Sequence, residues 1–163
     1  MPLTIIGDGP ELPRLRKLAG PNITFMGYQS DQVVAQSLNR ARAFVSASPE
    51  DFGIAMVEAQ AAGCPVITLG KGGALETVLE GRTGLFYAEQ TAESLIDAVE
   101  RFEGMAASFS VADLLANVQR FSKARFLNEF ALFAGIQGGD SPESLPHPEA
   151  FRPVPVLSRV RHR

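Results

Sequence analysis

Short apolar runs alternate with longer stretches of helical character over the first hundred residues. The apolar runs are rich in β-branched and aromatic side chains, and glycine or small polar residues interrupt the chain between them. Runs of this length and composition predict β-strands. The predicted strands cover residues 3–6, 23–26, 43–46, 65–69 and 85–87.

The stretches between these runs predict helices. Pro10 suits the first turn of the first helix, and Ser30 or Asp31 can cap the second. The predicted helices cover residues 10–19, 31–40, 52–63, 74–79, 91–102, 111–121 and 122–133. Because apolar strands alternate with helices, we expect right-handed βαβ units and a doubly wound, Rossmann-like parallel α/β sheet, buried on both faces. Ligands bind such sheets beyond the carboxyl ends of the strands.

The alternation stops after Gly104, and three regions are predicted. Residues 1–104 form the α/β domain, and residues 105–137 form C-terminal helices with large aromatic anchors. Residues 138–163 contain five of the eleven prolines and no periodicity. This composition predicts a disordered, mobile tail.

Composition excludes several classes of protein. A net charge of −3 provides no positive field for nucleic acid, so no nucleic-acid partner is expected. Cys64 is the single cysteine, and the two histidines are His147 and His162, which leaves neither a disulfide framework nor a metal site of these residues. No apolar run approaches the roughly 20 residues of a membrane span. The N-terminus has no basic leader, so we expect a cytoplasmic protein.

Two carboxylates eight positions apart, Glu50 and Glu58, flank the start of the third predicted helix. Gly53 removes a side chain where free amides and the helix dipole favour an anion. The helix is otherwise apolar around Glu58, so we expect this side chain to face a cleft. A glycosidase pair needs carboxyl groups about 5–9 Å apart, whereas eight residues at 1.5 Å each give roughly 10 Å or more. The spacing favours two acids that hold different parts of one long ligand.

Two glycine-rich loops lie at the same predicted edge of the sheet. Gly7-Asp8-Gly9 departs from the dinucleotide fingerprint because Leu12 stands where a third glycine is required. It is either a tight turn or a close backbone approach to a nucleotide. The loop at 70–73 lacks the P-loop arrangement, and is either an amide cradle for phosphate or a plain flexible turn.

The acidic segment and the glycine loops together resemble one enzyme family. The segment matches the E-x7-E motif of the retaining GT-B glycosyltransferases of family 4, group 1, which include sucrose synthase-like and mannosyltransferase-like enzymes. The matching words are Glu50-x-Phe52-Gly53-Ile54, Glu58-Ala59, Gly63-x-Pro65-Val66, Gly7-Asp8-Gly9-Pro10, Phe25-Met26-Gly27, Gly72-Gly73-x-x-Glu76 and Gly81-x-x-Gly84-Leu85. They occur in the family's order over residues 3–133, and they imply the C-terminal half of a GT-B fold.

The resemblance implies a role for each matching position. Glu50 would be the catalytic position and would bind hydroxyls of the transferred sugar. Amides of Phe52, Gly53 and Ile54 would contact the sugar and the distal phosphate. Glu58 would accept hydrogen bonds from the ribose. The other implied nucleotide-binding positions are Gly7, Gly27, Tyr28 and Gln29, with Tyr28 against the base.

The family transfers sugars with retention and is commonly described by a front-face internal-return mechanism, without a protein nucleophile, metal or cofactor. Catalysis would then depend on positioning and on stabilising the leaving diphosphate. The resemblance also implies that the family's first βα unit, with its Gly-Arg loop and lysine, and the N-terminal acceptor domain lie outside this chain. The chain alone is expected to be inactive. Membrane association is expected only peripherally, through the full-length enzyme.

The sequence from Gly72 to Val78 is most similar to that of bacterial mannosyltransferases of surface polysaccharide synthesis. It favours GDP-mannose as the donor, with a UDP-sugar as second choice, and a saccharide or lipid-linked acceptor. Two alternatives stay open: a nucleotide-sugar epimerase or hydrolase of GT-B type, and a non-catalytic sugar-nucleotide-binding module. No histidine precedes residue 147, which disfavours the hydrolase.

Overall fold

A computed structural model describes residues 1–135 of the chain. Contacts divide the chain into a compact unit at Met1–Ser122 and a second unit that begins at Lys123. The predicted tail at residues 138–163 lies outside the described residues.

Five strands and six α-helices form the first unit. The strands are β1 (Leu3–Ile6), β2 (Ile23–Gly27), β3 (Phe44–Ser46), β4 (Val66–Leu69) and β5 (Gly84–Tyr87). The helices are α1 (Leu12–Leu18), α2 (Asp31–Arg40), α3 (Ile54–Ala61), α4 (Ala74–Thr77), α5 (Ala92–Met105) and α6 (Val111–Val118), with 3-10 turns at Ala106–Ser108 and Gln119–Phe121. Every element lies within two or three residues of its predicted bounds, because glycine, proline and polar breaks separate the apolar runs.

All strand pairs are parallel, which confirms the predicted α/β class. β3, β4 and β5 form one sheet in sequence order, with Phe44 opposite Val66 and Val66 opposite Gly84. β1 and β2 form a separate two-stranded sheet, with Leu3 opposite Ile23. The prediction of one continuous sheet is therefore wrong for residues 1–135, since no ladder joins β1 or β2 to the other three strands.

The core is built on both faces of β4, whose four residues are all buried. Val66 belongs to a cluster with Met56 and Ala59 of α3. Its neighbour Ile67 belongs to a second cluster, which includes Phe102 of α5. Successive side chains of a strand point to opposite faces, so α3 and α5 cover the two faces of the sheet. This is the doubly wound layering that the alternation predicted.

Burial is uneven along the chain. No residue before Gly53 is buried, and all of β1, α1, β2 and α2 are exposed or half-buried. Burial on both faces is thus wrong for the first two strands. Two strands present too little apolar surface for their connecting helices to enclose.

The second unit contains α7 (Lys123–Phe133). The rings of Phe126 and Phe130 stack with centroids 5.8 Å apart, as the helical spacing of four residues allows. Both rings are more than half exposed, and Phe133 is 91% exposed.

Candidate sugar-nucleotide site

The candidate site forms where the chain turns from β3 into α3. Gly53 is the N-cap of α3 and has φ 82° and ψ 53°, a left-handed conformation that favours glycine. The amides of Met56 and Val57 donate to the carbonyl of Gly53. Within residues 1–135 the amides of Ile54 and Ala55 bond to no acceptor. The start of α3 therefore presents two free donors and the positive end of the helix dipole.

A shallow depression of about 100 Å³ opens at this helix start. Its lining residues are Phe44, Ser46, Glu50, Gly53, Ile54, Ala55 and Met56. The Glu50 carboxylate is exposed and accepts a hydrogen bond from the Ser48 hydroxyl at 3.1 Å. A site for a drug-sized ligand typically encloses about 300–1,000 Å³. The depression can therefore hold only part of a ligand as long as a nucleotide sugar.

The glycine loop at residues 70–73, after β4, lies directly against the backbone of residues 50–53, which we call the Glu50 turn. The amide of Gly73 donates to the carbonyl of Glu50 at 2.7 Å, and Glu50 and Gly72 form a parallel bridge. A Cβ on Gly72 would lie 2.5 Å from the Glu50 carbonyl oxygen, and one on Gly73 would lie 2.5 Å from the Asp51 oxygen. These glycines are required for close backbone approach. The Gly73 amide is already bonded, so it is not a free donor for phosphate.

Gly7 and Gly27 are brought together at the carboxyl ends of β1 and β2. The amide of Gly7 donates to the carbonyl of Gly27 at 2.8 Å, and both glycines have positive φ. Tyr28 follows with 84% of its surface exposed. Gln29 donates to the carbonyl of Met26 at 2.6 Å, which closes the turn. None of these four predicted nucleotide positions lines the depression at α3.

Phe52 and Glu58 complete the predicted set. Phe52 is 44% exposed, and its ring meets the edge of Phe121 with centroids 5.6 Å apart. Glu58 lies one turn into α3; it is exposed and does not line the depression. The structure thus groups Glu50, Gly53 and Ile54 in one depression, with Phe52 beside them and Glu58 further along the helix.

A buried polar group behind the site was not predicted from the sequence. Gln60 is fully buried in α3 and is hydrogen-bonded to Asn117 of α6, which is 3% exposed. A glutamine in the apolar stretch from Ala59 to Ala62 was the available signal, since buried polar side chains need partners. The partner is 57 positions away, which no local pattern reveals.

The parallel strands and the helices that cover both faces of β4 define the general class, a Rossmann-like α/β domain. The chain matches the model of the family described as glycosyl transferases group 1 over residues 1–103. It belongs to that family.

Curated relatives extend the likeness. A GDP-mannose-dependent alpha-(1-6)-phosphatidylinositol monomannoside mannosyltransferase of Mycobacterium tuberculosis is 39% identical over 113 residues, which cover 60% of this chain. A glycogen synthase of the same organism is 34% identical over 128 residues, or 75% of this chain. The chain spans 29% of the length of each of these relatives.

Solved structures show the same fold. Sucrose-phosphate synthase from Thermosynechococcus elongatus superposes with a TM-score of 0.72 at 28% identity, over 82% of this chain and 38% of that one. Anabaena HepE in complex with UDP and glucose gives 0.69 at 21% identity, over 83% and 40%. The predicted GT-B relationship is confirmed.

Within residues 1–135, no helix is both long and apolar enough to span a bilayer.

Proposed function

We propose that this chain is the donor-binding part of a retaining glycosyltransferase that transfers a hexose from a nucleotide diphosphate sugar. The single observation that carries the proposal is the start of α3, where unbonded amides of Ile54 and Ala55 and the Glu50 carboxylate share one depression. Amides and a helix dipole suit phosphate oxygens, and a carboxylate suits sugar hydroxyls. Adjacent groups of these two kinds fit the junction between a diphosphate and its sugar.

In this proposal each part of the ligand has its own residues. The distal phosphate lies at the amides of Gly53 and Ile54, beside Phe52, and the sugar hydroxyls bond to Glu50. Glu58 accepts from the ribose. The turns at Gly7 and at Gly27–Gln29 take the nucleotide, with Tyr28 against the base.

Catalysis in this proposal is electrostatic. Negative charge accumulates on the diphosphate as the glycosidic bond breaks, and the α3 dipole and its free amides stabilise that charge. Glu50 holds the sugar so that its anomeric carbon keeps one orientation while the bond breaks. No metal, cofactor or protein nucleophile is assigned a role in this scheme.

We propose GDP-mannose as the donor and a lipid-linked or saccharide acceptor. The mycobacterial relatives support this choice, since they are GDP-mannose-dependent phosphatidylinositol monomannoside mannosyltransferases. A UDP-sugar is the second candidate, favoured by the UDP and UDP-glucose complexes among the structural neighbours. A binding module without catalysis is a further candidate, because the depression holds only part of such a ligand.

Ligand titration of the 163-residue chain tests the proposal. GDP-mannose, UDP-glucose, GDP, UDP and ADP would be added while amide NMR shifts and the melting temperature are recorded. A donor present at ten times its Kd should add about 1.4 kcal/mol to the free energy of unfolding, and should shift the amides of Gly53, Ile54 and Ala55. Glu50→Gln should weaken binding of the sugar nucleotide more than that of the free nucleotide. Glu93→Gln, an exposed change in α5, is the matched control. Shifts confined to other surfaces would refute the assigned site.

A further inference from the structure

A buried network of side-chain amides joins three helices behind the Glu50 turn. The Gln60 amide nitrogen in α3 donates to the carbonyls of Met56 at 3.1 Å and Thr77 at 2.9 Å. The Asn117 amide nitrogen in α6 donates to the Gln60 side-chain oxygen at 2.7 Å and to the same Thr77 carbonyl at 2.8 Å. Thr77 is the last residue of α4, so its carbonyl has no partner inside that helix.

Every N–H group of the two amides is bonded, and each side-chain oxygen accepts one hydrogen bond. The donor to Asn117 is the guanidinium of Arg120 at 2.8 Å. Such a buried network favours one arrangement of its helices, because a displacement leaves buried N–H groups unpaired.

Two of these three helices, α3 and α4, are attached to the Glu50 turn. The turn continues into α3 at Gly53, and its Glu50 carbonyl is bonded to Gly73, the N-cap of α4. The Thr77 hydroxyl donates to the Gly73 carbonyl at 3.0 Å, which ties both ends of α4 together. The position of α4 relative to α3 therefore sets where the Glu50 backbone lies above the free amides of α3.

We propose that Gln60 and Asn117 are positioning residues that fix the Glu50 turn in its donor-binding geometry. They act through the α3–α4 arrangement and make no contact with the ligand. The expected effect on donor binding rests on the proposed function, whereas the expected effect on the position of the Glu50 turn rests on the network alone.

The segment after α6 makes a second contact with the same turn. The Arg120 guanidinium lies 5.2 Å from the centre of the Phe121 ring, and Phe121 meets Phe52 edge to face. Arg120 thus donates to Asn117 and also lies over the ring of Phe121, which in turn contacts Phe52 in the turn. The Phe121 ring contacts Phe52 directly, whereas Arg120 acts on the turn only through Asn117 and the helices that Asn117 joins.

Amide hydrogen exchange in the 163-residue chain tests the network. Asn117→Leu keeps a similar volume and removes both donors. The Gly73 amide should then exchange at least tenfold faster, and the Gly53 and Gly73 resonances should shift, while amides of α5 keep their positions. Phe102→Leu, in the other core cluster, is the matched control for a general loss of stability. An equal effect of Phe102→Leu on Gly73, or no effect of Asn117→Leu, would overturn the proposal.

Donor binding provides the second readout. The Kd for GDP-mannose, or for UDP-glucose if that is the sugar nucleotide bound, should rise at least fivefold in Asn117→Leu and less than twofold in Phe102→Leu. A displaced turn with unchanged Kd would refute the positioning role. If the wild-type chain binds neither sugar nucleotide, the proposed function fails, while Gly73 exchange still decides whether the network holds the turn.

The wild-type chain provides a test that needs no folded variant. The side-chain amide protons of Gln60 and Asn117 should exchange at least a hundredfold more slowly than those of Gln32, which is exposed on α2. Equally fast exchange in all three side chains would contradict the network itself.

Discussion

Replacing Gly73 by alanine tests whether the Gly72-Gly73 pair is a flexible turn or is required for close approach to the backbone of the Glu50 turn. Gly73 has φ −61° and ψ −18°, a conformation that any residue adopts, so alanine adds no backbone strain. A flexible turn would tolerate the methyl group. The structure instead places the new Cβ 2.5 Å from both the Asp51 oxygen and the Phe52 Cα. Real Cβ atoms essentially never approach other atoms so closely.

The expected magnitude follows from two opposing terms. Alanine lowers the conformational entropy of the unfolded chain and thereby stabilises by about 0.4–1 kcal/mol. Overpacking costs about 1–3 kcal/mol. The upper part of that range applies, because the atoms in contact with the methyl group belong to the backbone and cannot rotate away. We therefore expect Gly73→Ala to lower the free energy of unfolding by about 1–2 kcal/mol.

Urea unfolding measures this difference in the free energy of unfolding. If the free energy falls with urea concentration at the same slope in both proteins, the difference appears as a shift of the unfolding midpoint. Gly104→Ala is the matched control: Gly104 lies within α5, and a Cβ there meets nothing within 4 Å. That change should raise the free energy of unfolding by about 0.5–1 kcal/mol. Gly73→Ala should also move the Glu50 amide resonance, since its backbone partner is displaced. A stabilising effect of both alanines would refute the steric argument.

Three further predictions concern single groups. Burial raises the pKa of the Cys64 thiol to about 12 from 9.0, against a smaller lowering by a backbone hydrogen bond. The buried neutral thiol therefore contributes fully to stability below pH 9, and this contribution is lost as the pH rises toward 12, at about 1.4 kcal/mol per pH unit. The free energy of unfolding of Cys64→Ala, measured in urea, should lack this pH dependence. The same pH dependence in the wild-type chain and the variant would contradict the prediction. The Thr68 hydroxyl is buried and bonds to nothing within residues 1–135, so Thr68→Val should raise stability by about 1 kcal/mol. Thr77→Val, which removes a bonded hydroxyl, should lower stability by a similar amount. Thermal melts of the two variants check this prediction, and stability changes of the same sign in both would refute the reasoning. In a catalytically active transferase that contains this chain, Glu50→Gln should reduce kcat by about 10–100-fold, and Glu58→Gln should chiefly raise the donor KM. Unchanged kcat in Glu50→Gln would show the assigned roles to be wrong.

Local structure was predictable because the breaks in this chain are chemically distinct. Glycine or proline interrupts the chain near the ends of most apolar runs, and Thr91 caps α5 by accepting from the amide of Ser94. β1 and α2 match their predicted bounds, and the other elements differ at their ends. Helix and strand termini depend on hydrogen bonds to neighbouring elements, which periodicity does not encode.

Burial of the first half was not predictable from its apolar runs. Leu3 and Ile5 satisfy a strand pattern, yet Leu3 is 43% exposed, because burial depends on what lies against the sheet. The same strand composition in β4 is fully buried between α3 and α5. Apolar pattern identifies a strand, whereas burial requires two covering layers.

The candidate site was predictable where one short segment carries it. Glu50, Gly53 and Ile54 are close in sequence, and the left-handed Gly53 opens the helix whose start they share. The supports were not predictable, because Gln60 and Asn117 meet across 57 positions, and an amide in an apolar helix does not reveal its partner.

The glycine pair beside the Glu50 turn shows why residue type alone leaves function open. Glycine serves equally where a ligand approaches the backbone and where another strand of backbone does. At Gly73 the second reason holds, since its amide is bonded to Glu50 and a side chain would overlap Asp51. The Ile54 and Ala55 amides at the start of α3, in contrast, have no acceptor within residues 1–135. In the proposed function, the Gly73 contact positions Glu50, and α3 supplies amides that receive the phosphate.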